Sequence, residues 1–418
     1  MVTESPIDSD VPAVLHRSGF TRLWTATTFS ALADGLYLTV LPLIALSLTR
    51  SPTLVSGIRF AQSLAGFAIG LLAGVLVDRF NRKHLTMNAN LIRGTCMLAL
   101  AVTAGSGTLG LPMLYAAAFL IGVAETVTDT AEQALVPMVV DKERLSRANS
   151  LVYGTQTVLN DFVGAPLGAA LLGAATAVAL AAPAGLYLAA VVVLLPLRGR
   201  FTARHRTATR SSVMADVREG VKVLWRDRTL LRIAVFQSCS QFANMAFFSV
   251  FVVFAVGSSS SLRLSAFGYS LLITAAAVGA VIGSACADQV IGRLSGRTIL
   301  LAMTGGLALC FAAPAAFADP FTVGAALAVS GFVTAVGGIF TVSFRQSVAH
   351  ESLLGRVTAG SRLLSLAARP LGALAGGTIA QLASPRFLFV LLALVMAGMV
   401  PLVWRVTAML PTPSAAGH

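Results

Sequence analysis

The chain has 418 residues, of which 56% are hydrophobic and 11% are charged, and its mean hydropathy is +0.83. Soluble domains carry charge at about a quarter of their positions, so this composition excludes an ordinary set of soluble domains. The formal net charge of +13 does not indicate nucleic-acid binding, because the basic residues lie in short connections between apolar runs. That placement is typical of membrane proteins.

Apolar runs long enough to cross a bilayer, which takes about 20 residues, recur along nearly the whole chain. Backbone polar groups in lipid must be satisfied within their own segment, so these runs predict helices. The predicted fold class is an all-α membrane protein with twelve transmembrane helices in two pseudo-symmetric six-helix bundles. The predicted spans are residues 21–48, 53–77, 84–105, 111–138, 148–172, 177–197, 229–256, 265–287, 298–317, 321–347, 356–382 and 386–407.

One long connection divides six spans from six, and it is rich in arginine. The predicted organisation is a cytoplasmic tail (1–20), a first bundle (21–197), a basic linker with an amphipathic helix (198–228), a second bundle (229–407) and a second tail (408–418). Basic residues concentrate in alternate connections, so the positive-inside rule places both termini in the cytoplasm. The predicted location is a bacterial inner membrane.

The two halves repeat a short glycine-rich string. GAPLGAALLG (164–173) in span 5 resembles RPLGALAGG (369–377) in span 11, which makes Pro166 and Gly168 equivalent to Pro370 and Gly372. Small residues such as these and Gly164 allow close helix packing. Parallel repeats of six spans are an architecture of secondary transporters.

Four carboxylates lie at predicted membrane depth, where an ionisable group is costly and therefore a functional candidate. Asp34 lies near the middle of span 1. Glu125, Asp129 and Glu132 in span 4 share one helical face by their spacing. We interpret these four residues as groups that bind protons or a cationic substrate.

A structural alternative stays open, in which some of these acids form interhelical ion pairs. The candidate partners are Arg59, Arg93, Arg345 and Arg369. Asp161 and Arg369 also lie near mid-depth of their spans and are equally compatible with charge pairing. Aromatic side chains could contact an amphipathic substrate or simply pack, and they are Phe29, Tyr37, Phe242, Phe247, Phe248, Phe340 and Phe344.

The connection between spans 2 and 3 carries a charged motif, Gly74-Val-Leu-Val-Asp78-Arg79-Phe-Asn81-Arg82-Lys83. It resembles the cytoplasmic signature G-x-x-x-D-R-x-x-R-[RK] of the major facilitator superfamily, with Asn81 where glycine is common. The resemblance implies that Gly74, Asp78, Arg79, Arg82 and Lys83 form a gating latch that stabilises one access state.

Further strings resemble the branch of that superfamily that contains macrolide-efflux proteins and the enterobactin exporter. They include Ala33-Asp34-Gly35, Ala134-Leu135-Val136-Pro137 and Leu354-Gly355-Arg356-Val357. The resemblance implies a proton-driven exporter of drugs, antibiotics, natural products or siderophores. One departure stands against it: the antiporter signature G-P-x-x-G-G is here Gly164-Ala165-Pro166-Leu167-Gly168-Ala169.

The leading prediction is therefore a proton-coupled antiporter that exports small amphipathic molecules by alternating access. A proton-coupled uptake symporter and a non-transporting membrane sensor are the alternatives. No catalytic or metal-ligand spacing occurs, so we predict no enzyme, no metal and no cofactor. The expected partners are the lipid bilayer, protons and a small-molecule substrate, with the chain working as a monomer and binding no nucleic acid.

Overall fold

The computed structural model describes residues 18–199, 201, 202, 222, 225, 227–348 and 351–407. In the first half the helices are α1 (Ser18–Leu48), α2 (Pro52–Arg79), α3 (Arg82–Gly105), α4 (Leu111–Val139), α5 (Leu145–Thr157, Val158–Gly164 and Ala165–Ala174 in succession) and α6 (Thr176–Leu194). In the second half they are α7 (Arg228–Ala255), α8 (Ala266–Arg293), α9 (Gly296–Ala316), α10 (Pro320–Val348), α11 (Glu351–Leu382) and α12 (Pro385–Gly398 followed by Val400–Thr407).

The described chain has eleven helices that are long and apolar enough to cross a membrane. There are twelve if the two parts of α2, which meet at an angle of 57° between Gly70 and Leu72, count as one span. The prediction of an all-α membrane protein is confirmed. The predicted tails and the predicted amphipathic helix of the linker lie almost wholly outside the described residues.

Two of the predicted spans are not uninterrupted α-helices. The middle segment of α5, Val158–Gly164, is π-helical. In α12 the first segment ends at Gly398 and a second begins at Val400. Pro401 has no N–H to donate to the preceding turn, which accounts for a break at this point. Each of these two segments still forms a single candidate membrane span, Lys142–Ala174 and Pro385–Arg405.

Helix starts follow the local sequence. Asn81, Ser265, Ser295 and Ser384 each precede a helix and accept hydrogen bonds from backbone N–H groups of its first turn. Such caps satisfy donors that have no partner inside the helix. Ser384 is the N-cap and Pro385 the first residue of α12, a position at which proline is well tolerated.

Contacts divide the chain into two compact units. The described residues of 1–41 and 68–210 belong to the first unit, and those of 42–67 and 211–418 belong to the second. The C-terminal end of α1 and the first part of α2 thus group with the second unit. The predicted division at the 198–228 linker stays a prediction.

In the first unit, α3 packs against both α4 and α6. A core cluster joins α1, α4 and α6 near one end of the unit, and its fully buried members include Phe20, Leu23, Leu135 and Leu194. A second site of close packing joins α1 to α5. These contacts hold the middle of α1, where Asp34 lies, among α3, α4 and α6.

In the second unit, α8 packs on α10, α7 packs on α11, and α9 packs on α10 and α12. Phe247 of α7 is fully buried, with ring centroids 5.0 Å from Phe251, 5.1 Å from Phe311 and 4.8 Å from Phe389. Phe247 is therefore a packing residue of the core.

Candidate functional site

Asp34 forms an ion pair with Arg93 of α3, and the hydroxyl of Tyr187 of α6 donates a hydrogen bond of 2.6 Å to the same carboxylate oxygen. The side chain of Arg93 is 1% exposed and that of Asp34 is 15% exposed. Asp34 thus takes part in an interhelical ion pair, and its role in binding protons or substrate stays a prediction. A buried pair is tolerated when further hydrogen bonds satisfy both partners.

Arg93 has additional partners on α1 and α3. Its Nη1 donates to the Ser30 hydroxyl at 3.0 Å and to the Asn90 side-chain carbonyl at 3.3 Å. The guanidinium also lies over the Tyr187 ring, with its carbon 4.4 Å from the ring centroid. The Nε of Arg93 and the amide nitrogen of Asn90 are buried without a hydrogen-bond partner. The hydrogen bonds fix the position of the Arg93 side chain, but two buried donors of the network have no acceptor.

The three acids of α4 have different surroundings. Glu125 accepts a hydrogen bond of 2.6 Å from the hydroxyl of Tyr37 of α1. Asp129 is exposed. Glu132 is 5% exposed, and its carboxylate accepts a hydrogen bond from Thr27 of α1. The predicted shared face exists by spacing, and Glu125 and Glu132 are held against α1 by Tyr37 and Thr27.

Glu132 and Arg93 interact electrostatically within the same bundle. One oxygen of Glu132 and the hydroxyl of Thr128 are buried without a hydrogen-bond partner. The guanidinium of Arg93 thus interacts with two carboxylates, those of Asp34 and Glu132.

Sequence reasoning missed most of this network. Arg93 was considered only as one of four pairing partners, and Tyr187, Asn90 and Ser30 were not singled out. A signal was present: Asn90 and Arg93 are polar residues one turn apart within a predicted span, where such residues usually face a protein interior. Their meeting with Asp34 depends on helix packing, which residue spacing does not reveal.

The charged motif after α2 makes several contacts within the first unit. Arg82 approaches Asp78 at 3.8 Å, with Asp78 48% exposed, so this ion pair is weak. Lys83 donates a hydrogen bond of 2.8 Å from Nζ to the carbonyl of Leu195, just beyond the end of α6. A cation near the last carbonyls of a helix is favourable.

The departure at Asn81 has a structural reason. Its side chain accepts hydrogen bonds from the backbone N–H groups of Lys83 at 3.0 Å and His84 at 3.4 Å, so Asn81 is the N-cap of α3. Arg79 is exposed, and a side chain added at Gly74 would meet no atom within 4 Å. The gating role of Gly74, Asp78, Arg79, Arg82 and Lys83 stays a prediction.

The glycine strings lie at close helix crossings in both units. A Cβ added to Gly164 would lie 2.6 Å from the Cα of Gly35, and one added to Gly168 would lie 3.1 Å from the Leu36 carbonyl oxygen. In the second unit, a Cβ on Gly372 would overlap the backbone of Phe242 of α7. The crossing of α1 with α5 thus has a counterpart in that of α7 with α11, as the repeat suggests.

The proline shift in span 5 coincides with the π-helical turn. Val158–Gly164 ends immediately before the segment that contains Pro166. A π-helical turn accommodates one extra residue, and Pro166 has no N–H to donate to the preceding turn.

Asp161 lies in this π-helical turn, although its side chain is outside the described part. Arg369 is exposed on α11 next to Pro370, and a pairing role for either residue stays a prediction.

Buried ionisable side chains on several membrane helices, together with glycine crossings repeated in two halves, define the class of solute transporters with two related bundles. The sequence profile of the Major Facilitator Superfamily matches residues 23–359. The chain therefore belongs to the Major Facilitator Superfamily, and it is a membrane transporter and not an enzyme.

Several proteins are similar over most of their length. An uncharacterised MFS-type transporter y4rN of Sinorhizobium fredii is 28% identical over 376 residues, which cover 86% of this chain and 88% of the relative. Multidrug efflux pump Tap of Mycobacterium tuberculosis is 25% identical, with 88% of each chain covered. Enterobactin exporter EntS of Salmonella choleraesuis is 28% identical, with 81% of this chain and 80% of the relative covered.

Two solved structures share the fold. A mutant of the nucleoside transporter NupG aligns with a TM-score of 0.77 and 11% identity, covering 93% of this chain and 99% of the other. A bacterial homologue of the iron transporter ferroportin aligns with a TM-score of 0.74 and 14% identity, covering 93% and 98%. At these identities the likeness establishes the fold and nothing about substrate.

Proposed function

We propose that the protein is a proton-driven exporter of small amphipathic molecules that works by alternating access. The observation that carries this proposal is the buried pair of Asp34 and Arg93, with Tyr187 on the same carboxylate. An ion pair at membrane depth is expensive, and it is retained where a charge must be gained and lost during function. Similarity to proteins named as an efflux pump and an exporter supports the outward direction.

The proposed coupling step is competition between a proton and Arg93 for Asp34. When Asp34 is ionised, it holds the guanidinium. When Asp34 takes a proton, the guanidinium is released from it and is drawn toward Glu132, which already interacts with it. Because Asp34, Arg93 and Glu132 lie on α1, α3 and α4, this exchange changes the attraction between three helices of one bundle.

Glu125 and Asp129 have a second role in the proposal. Glu125, bound to Tyr37, is a further acceptor that either a proton or a cationic substrate can occupy. Exposed Asp129 connects it by helical spacing to Glu132. Protons thus move along one face of α4, between groups that share the α1 side of the bundle.

The proposed gate is the charged motif after α2. Arg82 forms a weak ion pair with Asp78. Lys83 donates a side-chain hydrogen bond to a backbone carbonyl at the end of α6. Contacts of this strength can form and break within a transport cycle. We place this gate on the cytoplasmic side of a bacterial inner membrane, with both termini cytoplasmic and one chain as the working unit.

The experiment is dye accumulation in cells that produce the wild-type protein, Asp34→Asn or Glu125→Gln. We expect wild-type cells to retain less of a lipophilic fluorescent dye than cells without the protein, and a protonophore to abolish the difference. Both variants should lose proton-dependent export while reaching the membrane in normal amounts. Asp319→Asn is the matched control, because it neutralises an exposed carboxylate at a helix start.

If Asp34→Asn and Glu125→Gln both leave export and its pH dependence intact, the proton role is wrong. Direction is tested separately with a labelled substrate in inside-out vesicles. Substrate accumulation driven by an acidic vesicle lumen, from which protons leave as substrate enters, supports export. Substrate movement out of these vesicles together with protons would instead indicate the uptake symporter.

A further inference from the structure

Two neutral side chains hold one nitrogen of the Arg93 guanidinium. Nη1 of Arg93 donates to the Ser30 hydroxyl at 3.0 Å and to Asn90 Oδ1 at 3.3 Å, and the Ser30 hydroxyl donates to the same Asn90 oxygen at 3.1 Å. Because two donors meet at that oxygen, the orientation of the Asn90 amide is determined. All three side chains are buried. These contacts do not include Asp34, so they do not depend on whether Asp34 carries a charge.

The rest of the guanidinium is unevenly used. Nη2 is bound to Asp34, whereas Nε is buried without a hydrogen-bond partner. Glu132 has the complementary atom, because its Oε1 is a buried acceptor that also lacks a partner. Since an unpaired buried donor and an unpaired buried acceptor are each unfavourable, a movement that brings them together is favourable.

One face of α1 brings both carboxylates to Arg93. Thr27, Ser30 and Asp34 follow one another at intervals of three and four residues, which places them on the same side of the helix. Thr27 bonds to the carboxylate of Glu132, and Ser30 accepts from Arg93. The contact of Nη1 with Ser30 therefore lies between the position of Glu132 and that of Asp34 along α1.

The surrounding helices carry further titratable groups. In chain order, the charged and titratable residues around this guanidinium are Asp34, Tyr37, Glu125, Asp129, Glu132, Asp161 and Tyr187. Asp34 is bonded to Arg93, and Glu132 interacts with it electrostatically. Glu125 and Asp129 act on Tyr187, whose hydroxyl is bonded to Asp34. An exchange of acids at Arg93 therefore runs between Asp34 and Glu132.

We infer that Ser30 and Asn90 are positioning residues that form a pivot for Arg93. Nη1 stays on the pivot while the guanidinium turns its other N–H groups from Asp34 to Glu132. This inference rests on the proposed proton role of Asp34 and adds the part of the site that does not move. The proton bonds to a carboxylate oxygen of Asp34, Arg93 keeps its charge, and Glu132 becomes its counter-ion. Because Nη1 is held, Arg93 returns when Asp34 loses the proton.

The experiment is thermal unfolding of the purified full-length protein in detergent at neutral pH. Asp34→Asn imitates the protonated carboxyl group, so in that background the pivot places the guanidinium on Glu132. We expect Glu132→Gln to lower the unfolding temperature roughly twice as much in the Asp34→Asn background as in the wild-type chain. The difference between these two decreases is called the excess.

Variants of Asn90 test the pivot itself. Asn90→Leu removes the acceptor oxygen at similar size and should abolish the excess, because Arg93 is then no longer held beside Glu132. Asn88→Leu is the matched control, since Asn88 is exposed on the same helix, and it should preserve the excess. Asn90→Ser, which is too short to reach Arg93, replaces Asn90→Leu if that variant does not fold.

Asn90→Asp separates positioning from packing. It keeps the oxygen and the shape of the side chain but adds a negative charge at Nη1, so Arg93 gains a permanent counter-ion. In the Asp34→Asn background this variant should raise the unfolding temperature and still abolish the excess. A side chain that only filled space would leave the excess unchanged.

Equal effects of Glu132→Gln in the two backgrounds, or an excess that persists in the Asn90 variants, overturn the pivot. Dye accumulation in cells tests the proposed function separately. Loss of export in Asp34→Asn without any excess contradicts the pivot alone. An excess together with intact export in Asp34→Asn supports the pivot and contradicts the proton role.

Discussion

At the scale of single residues, the chemistry of the first unit centres on Arg93. It is one of the largest fully buried side chains of the described protein, and it meets Asp34, Ser30, Asn90 and Tyr187. A guanidinium offers five donors in a fixed plane, so it can hold several acceptors together where lysine would hold fewer. This explains how a carboxylate on α1 is retained at membrane depth.

Removing one partner of the Asp34–Arg93 pair should be worse than removing both. Arg93→Gln leaves a buried carboxylate without its counter-ion, which typically costs about 3–5 kcal/mol. The double variant Asp34→Asn/Arg93→Gln leaves two neutral groups that can hydrogen-bond. We expect thermal unfolding temperatures in detergent to rank wild type, then the double variant, then Arg93→Gln.

Arg22→Gln is a suitable control, since Arg22 is an arginine of the same unit that donates to the Pro196 carbonyl at an exposed site. Equal unfolding temperatures for the single and double variants would show that the two charges do not depend on each other.

At the scale of helices, close crossings and caps determine which residues meet. The π-helical turn of α5 and the contact between Gly164 and Gly35 bring α5 against α1 immediately beside Asp34. A change in the conformation of this turn would therefore shift the part of α1 that carries the Asp34 carboxylate. π-Helical turns inside α-helices occur frequently at functional sites.

Gly164→Ala should disturb the α1–α5 crossing. An added methyl group would lie 2.6 Å from the Cα of Gly35, so one backbone must move. We expect a lower unfolding temperature and weaker dye export. Gly173→Ala on the same helix is the control, because nothing lies within 4 Å of a Cβ there and alanine favours a helix. If the two variants behave alike, the crossing tolerates separation and is not a constraint.

The start of α10 should depend on pH through Asp319. The pKa of Asp319 lies below its ordinary value of 3.8, because the backbone N–H and the hydroxyl of Thr322 both donate to its carboxylate. A lowered pKa stabilises the folded state above the ordinary value, and this contribution is lost as pH falls through the lowered one. Asp319→Ala should therefore unfold at a lower temperature than wild type at neutral pH, and the gap should close in strong acid.

Asp319→Asn should keep the cap without the titration, so it separates the loss of a hydrogen bond from the loss of a charge. Asp319→Ala unfolding at the wild-type temperature in neutral buffer would mean that the cap contributes nothing.

At the scale of the whole molecule, orientation rests on the arrangement of arginine and lysine. The connections after α2 and α4 are basic, whereas those after α3 and α7 are rich in glycine and serine. The positive-inside rule then assigns the first pair to the cytoplasm. The charged motif after α2 falls on this predicted side.

Cysteine labelling in intact cells checks this orientation. In a background where the four native cysteines are replaced, Ser106→Cys and Ser259→Cys should react with a membrane-impermeant maleimide added outside. Lys142→Cys should react only after the membrane is opened. All three positions are exposed, so access to the reagent decides the result. The reverse pattern would invert the proposed topology, and with it the location of the gate.

Membrane residence, helical class, the approximate spans and the family signature were determined by the sequence alone. Each depends on residues that are near one another in the sequence. Hydropathy is a property of one segment, and a cap such as Asn81 acts on the next two or three residues. The two interruptions, in α5 and α12, were not foreseen, although Pro166 and Pro401 stand beside them.

The partners of Asp34 were decided only by the tertiary structure. Arg93 and Tyr187 lie on α3 and α6, distant in the chain, and any of four arginines satisfied the sequence equally well. Burial in a bundle depends on which faces meet, and apolar runs in a membrane show little periodicity to reveal those faces, since lipid and protein interior are both apolar.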